Sequence, residues 1–131
     1  LCAEISRSPH LAVRHAVAAK QRGHYSRADR LSRHALRLDP LTEPAAAVLS
    51  SVLRAQGRAK EALAVTDEFR GSENVPLLTS RAATLLDLGD VVAAKRLARK
   101  AWAIARERGE RTDEISLVFK RIEKQSPSLQ V

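Results

Sequence analysis

The sequence predicts an all-α protein organised as a helical repeat: three helix–turn–helix pairs and one final capping helix. Three observations carry this expectation. The stretch from Gly23 to Pro40 reads as a helix with defined ends, and Ala28, Leu31, Ala35 and Leu38 recur in it at intervals of three, four and three, the spacing of one helix face. Two weaker copies follow, from Gly57 to Gly71 and from Gly89 to Arg106. The only aromatic residues are Trp102, Tyr25, Phe69 and Phe119, and a core built mainly from Ala and Leu suits helices packed at close range.

Each element has its own signals. Residues 1–8 are expected to be flexible or the remnant of a preceding helix. The first predicted helix runs from Pro9 to about Arg22. Ser8 is its N-cap, Pro9 occupies the first turn where a missing N–H costs nothing, and Leu11, His15, Ala18 and Ala19 share a face. The second helix ends at Asp39-Pro40, because proline lacks an N–H and forces the residue before it out of the helical region. Thr42 caps a third helix whose apolar stripe is Leu49, Val52 and Leu53, and Gly57 breaks it. The fourth, Ala59 to Arg70, is expected to bury Ala62, Leu63, Val65 and Phe69, with Gly71 ending it in the left-handed conformation. Asn74 caps a fifth helix carrying Leu78, Ala82 and Leu85. Asp90 caps a longer sixth, whose stripe of Ala94, Leu97, Ala98, Ala101, Ile104 and Ala105 continues to about Arg108. Beyond Gly109 a last helix spans 112–125, with Ile115, Val118, Phe119 and Ile122 on one face and Asp113-Glu114 at its positive end. Residues 126–131 read as a tail.

Composition bounds the function classes. The chain of 131 residues, 44% hydrophobic and 29% charged, suffices for one folded domain. No apolar run approaches the roughly 18 residues needed to span a bilayer. The absence of methionine predicts an excised domain or a processed product and leaves the compartment open, with the cytoplasm slightly favoured. Cys2 stands alone, so no internal disulfide can form. The net charge of +8 is uneven. Residues 1–42 hold eight Lys/Arg against three Asp/Glu, residues 43–74 four against five, and residues 75–131 eleven against seven. The basic ends suit an anionic partner or simply solvated helix faces. No G-x-S-x-G, phosphate loop or H-E-x-x-H motif is present, and His10, His15, His24 and His34 contain no i, i+4 pair, so neither an enzyme nor a metal site nor any cofactor is expected.

In register, the helix pairs resemble the tetratricopeptide repeat. Repeat one, 9–42, carries Ala16, Gly23, Tyr25, Ala28, Ala35 and Pro40 at the family's fixed places. Repeat two, 43–74, keeps Leu49, Gly57, Ala62 and Phe69 but has Asn74 where the family has proline. Repeat three, 75–108, keeps Ala82, Leu85, Gly89, Ala94 and Ala101, and Arg106 replaces its proline. The last helix is similar to the cap such arrays use to cover their final apolar face. The resemblance covers 9–125 and implies a right-handed solenoid acting as a protein-interaction scaffold. Independently of it, alanine at 28, 62 and 94 marks close helix crossings that a larger side chain would force apart. The segment Leu38 to Arg70 also resembles the bacterial transcriptional activator domain, itself a variant helical repeat, although no winged-helix part accompanies it.

The tetratricopeptide resemblance implies a concave groove lined by the first helix of each pair. Carried over, this groove comprises His10, Val13, Val17, Lys20 and Gln21 in repeat one; Pro44, Ala47, Ser51, Arg54 and Ala55 in repeat two; and Pro76, Thr79, Ala83, Leu86 and Asp87 in repeat three. Val13, Val17 and Val48 replace the Lys and Asn with which some members clamp a terminal carboxylate, so that clamp is absent. A small, apolar groove with a few cations suits an extended peptide or an amphipathic helix of another protein. The alternative partner is nucleic acid, held by phosphate contact on two basic ridges: Arg30, Arg33 and Arg37, and Arg96, Arg99 and Lys100. Without interleaved aromatic residues these ridges do not stack bases. Trp102 is expected to pack between the sixth helix and the cap.

Overall fold

The computed structural model describes residues 7–125, which form seven helices with no strand among them. The helices are α1 (Pro9–Gln21), α2 (Tyr25–Leu38), α3 (Glu43–Ala55), α4 (Ala59–Asp67), α5 (Val75–Asp87), α6 (Val91–Arg108) and α7 (Asp113–Gln125). The expectations for residues 1–6, Cys2 included, and for the tail 126–131 lie outside the described residues. No described helix is long and apolar enough to cross a membrane. The chain divides into two compact units, Leu1–Arg70 and Gly71–Val131.

The same turn joins α1 to α2, α3 to α4 and α5 to α6. In each, a glycine (Gly23, Gly57, Gly89) takes positive φ, which a Cβ would oppose. The following residue donates its N–H to the carbonyl five positions back: His24 to Ala19, Arg58 to Leu53 and Asp90 to Leu85, at 2.8 to 2.9 Å. This is the Schellman closure, which satisfies carbonyls that the helix end leaves unpaired. Glu110 closes α6 on Ala105 in the same way, after Gly109.

In the first unit, α2 packs against both α1 and α3, α1 lies against α3, and α4 packs on α3. Ala12, Ala16 and Ala19 of α1 meet Ala28, Leu31 and Ala35 of α2 and Ala45, Val48 and Val52 of α3 in one cluster. Alanine is the best helix former, and its small side chain lets two helices approach closely. A second cluster, Leu49, Leu53 and Ala62 with Leu36 and Val65 at its edge, holds α4. In the second unit α6 packs against α5 and α7, and α5 lies against α7. Its cluster is Val75, Leu78, Ala101, Ala105 and Ile115, flanked by Leu97, Trp102, Ile104 and Phe119. The Trp102 and Phe119 rings meet edge to face, 6.3 Å between centroids at 83°, as expected for an indole between α6 and the last helix.

Buried Ser32, Thr66, Thr79 and Thr84 donate their hydroxyls to carbonyls of the preceding turn, at 2.7 to 2.9 Å. Among the described residues no buried side-chain polar atom lacks a partner.

Several expectations need correction. Gly71 does not take positive φ, and α4 ends at Asp67. The cause is a tightening of the last turn, where the Phe69 N–H reaches the Thr66 carbonyl three residues back at 3.0 Å. Thr42 precedes α3 but makes no side-chain cap; its hydroxyl donates to the Asp39 carbonyl at 2.6 Å. Ser8, Asn74 and Asp90 do cap, accepting from Leu11, Leu77 and Ala93. His15 and Leu38 are exposed, because the buried stripes of α1 and α2 run through Ala12-Ala16-Ala19 and Ala28-Leu31-Ala35. On α4 only Ala62 and Thr66 are buried; Leu63, Val65 and, past the helix end, Phe69 stay half-exposed, and Val65 and Phe69 line an open cleft.

Candidate functional site

The groove residues divide by accessibility. On α1, His10 and Gln21 are exposed, and Val13, Val17 and Lys20 are half-exposed. On α3, Ser51 and Arg54 are half-exposed and Ala47 is buried. On α5, Thr79 and Ala83 are buried and Leu86 is only 2% exposed. The four buried residues contribute packing, while Pro44 and Ala55 of α3 and Pro76 and Asp87 of α5 are exposed, so the open part of this surface is α1, most of α3 and the two ends of α5. Thr79 also commits its hydroxyl to the Val75 carbonyl. Val13 and Val17 border the first cluster one helical turn apart, which leaves part of each apolar side chain facing water.

In the second unit Pro76 and Thr79 line a cleft of about 390 Å³ with Val75, Ile115, Glu110, Arg111, Asp113 and Glu114. It brings the start of α5 against the start of α7. The acidic residues there are legible in the sequence only as favourable charges at a helix N-terminus. Arg111 pairs with Asp113 at 2.6 Å. Asp87, at the far end of α5, accepts from Arg121 of α7 at 2.6 Å, so this groove position is tied to the last helix.

The sequence reading missed a cleft of about 390 Å³ in the first unit. Leu36 and Arg37 of α2, Pro40, Leu49 of α3, and Val65 and Phe69 in and after α4 line it. The available signal was that Val65 and Phe69, four residues apart, lie off the Ala62-Thr66 face.

The two basic faces differ. Arg96, Arg99 and Lys100 are exposed along α6. On α2, Arg30, Arg33 and Arg37 join Arg27 and His34 around a depression of about 400 Å³ floored by Leu31. Arg33 is already engaged: it donates to Asp29 one turn back and lies 3.9 Å from Glu61. Asp29 also meets Arg58 at 3.4 Å, and Arg58 forks onto Glu61 at 3.0 and 2.7 Å. Asp29, its side chain 15% exposed, thus sits inside a four-residue ionic cluster joining α2 to the start of α4. The hydrogen bond from Arg58 holds the Glu61 carboxyl below its ordinary range, and the reciprocal bond raises Arg58.

Among the described residues no group of three His, Cys, Asp or Glu side chains could hold a metal ion. No protein-family model matches the chain, and no curated protein matches it as a relative.

Proposed function

We propose that the chain is a tetratricopeptide-like, right-handed helical-repeat module, non-catalytic, that binds an extended peptide or an amphipathic helix of another protein along the first helices of its pairs. The observation that carries this reading is the recurrence of one glycine turn, with the same five-back hydrogen bond, inside each of the three helix pairs. Within each unit, the side-by-side packing of α1 with α3 and of α5 with α7 is the neighbour contact that successive first helices make in a repeat array. Partly exposed Val13 and Val17 supply an apolar anchor there, flanked by Lys20. An amphipathic helix or strand would cover these valines and leave its polar side in water.

A displayed library of random peptides selected on the wild-type chain supplies the probe. Val17→Glu buries a charge wherever a peptide covers α1, and selected peptides are expected to lose about tenfold or more in affinity. Selected peptides that bind Val17→Glu and wild type equally would overturn the α1 site.

A further inference from the structure

The α2 face presents a cationic depression that the folding of the first unit does not use. Arg27, Arg30 and Arg37 are exposed and make no ion pair among the described residues, in contrast with Arg33, which Asp29 and Glu61 engage. All four arginines and His34 border the same depression, and no acidic side chain lines it among the described residues. The nearest carboxylate on the helix, Asp29, is occupied by Arg33 and Arg58. From Arg27 to Arg37 the helix rises about 15 Å, the rise of about four base pairs of duplex. The floor residue Leu31 is 2% exposed, so the apolar surface of the depression belongs to the stems of the arginines and His34, and no aliphatic or aromatic side chain stands open as an anchor. A docking protein helix would need an apolar anchor at its centre, whereas a phosphate backbone needs only the cations. No aromatic residue lines the depression, which disfavours stacking of single-stranded bases.

We infer that the face of α2 formed by Arg27, Arg30 and Arg37 is a binding site for the phosphate backbone of duplex nucleic acid, independent of sequence and separate from the α1 surface. The exposed cations Arg96, Arg99 and Lys100 of α6 provide an internal control, because they carry equal charge on another helix.

The test is titration of a labelled mixed-sequence DNA duplex with the full 131-residue chain across a salt series. Three phosphate contacts predict a slope of log affinity against log salt near about −2.7. Arg27→Gln/Arg30→Gln/Arg37→Gln should weaken binding about tenfold or more and flatten the slope. Arg96→Gln/Arg99→Gln/Lys100→Gln, with the same change in net charge, should stay within about twofold of wild type. The triple Lys variant at 27, 30 and 37 should retain most of the binding, which separates loss of charge from loss of fold. Equal losses in the two Gln variants would overturn the site in favour of bulk charge. So would a loss confined to the α6 variant, or no binding by wild type at low salt. Equal affinity for polyglutamate of matched charge would overturn the nucleic-acid reading in favour of an acidic protein partner.

Discussion

The first unit extends its helices into α4 and ties that helix back with charge, whereas the second stops at α7 and seals it with rings and branched aliphatics. Their starting layouts match: a first helix beside a third, with a second packed on both. α6 has 18 residues against 14 in α2, and the added turn, 105–108, begins with Ala105, which packs in one cluster with Ile115 of the last helix. α4 has nine residues, buries two of them, and relies on the Asp29–Arg33–Arg58–Glu61 cluster at its start. One chain thus joins its helices in two ways: by burying area, which salt does not screen, and by exposed charge, which it does.

Removal of Thr112 to Val131 breaks the comparison most severely. It uncovers Val75, Leu78, Ala101 and Ala105 together with Trp102. The truncated chain is expected to associate or lose the cooperative melting of its second unit. A truncated chain as monomeric and stable as the full one, by sedimentation and circular dichroism, would rule out the sealing role. Ala62→Leu comes next. Ala62 is fully buried where α4 meets α3, and overpacking there should cost about 1–3 kcal/mol. An unchanged denaturation midpoint would mean that α4 is free to shift away from α3.

The smallest effect is Glu61→Gln, which sharpens the contrast through pH. Glu61 has its carboxyl pKa lowered from 4.5, chiefly by the Arg58 hydrogen bond. Its ionised form therefore favours the folded chain; the contribution is present above about pH 4.5 and lost as pH falls through the lowered pKa. Wild type should melt slightly above Glu61→Gln at neutral pH, and the gap should close in acid and shrink with added salt. A gap that persists in acid would assign the difference to packing.

Helix starts were legible wherever a side chain could cap: Ser8, Asn74 and Asp90 each accept the expected N–H. The end of α2 at Asp39-Pro40 was legible because proline acts locally. The end of α4 was not, because the Phe69 bond to Thr66 is a choice between two turn geometries that residue preference does not decide. The groove positions were the least legible. α5 is apolar or small at every position except Arg81 and Asp87 and buries ten of its 13 residues, so spacing says little about which side stays open. Thr79, Ala83 and Leu86 all fall within that buried majority. On α1 a single alanine stripe is buried, and there Val13 and Val17 could be read as partly open.

Trp102 is the only tryptophan in the chain and belongs to the second unit, while the only tyrosine, Tyr25, belongs to the first. The indole and the Phe119 ring meet edge to face, and the Arg106 guanidinium lies 5.8 Å from the indole ring centroid. Fluorescence excited beyond the absorption of tyrosine therefore originates from one half of the molecule alone. Its emission should shift when α7 leaves the ring, whereas helical circular dichroism averages over both halves. Agreement or divergence of the two melting curves reveals whether the halves unfold as one cooperative body, with no label attached.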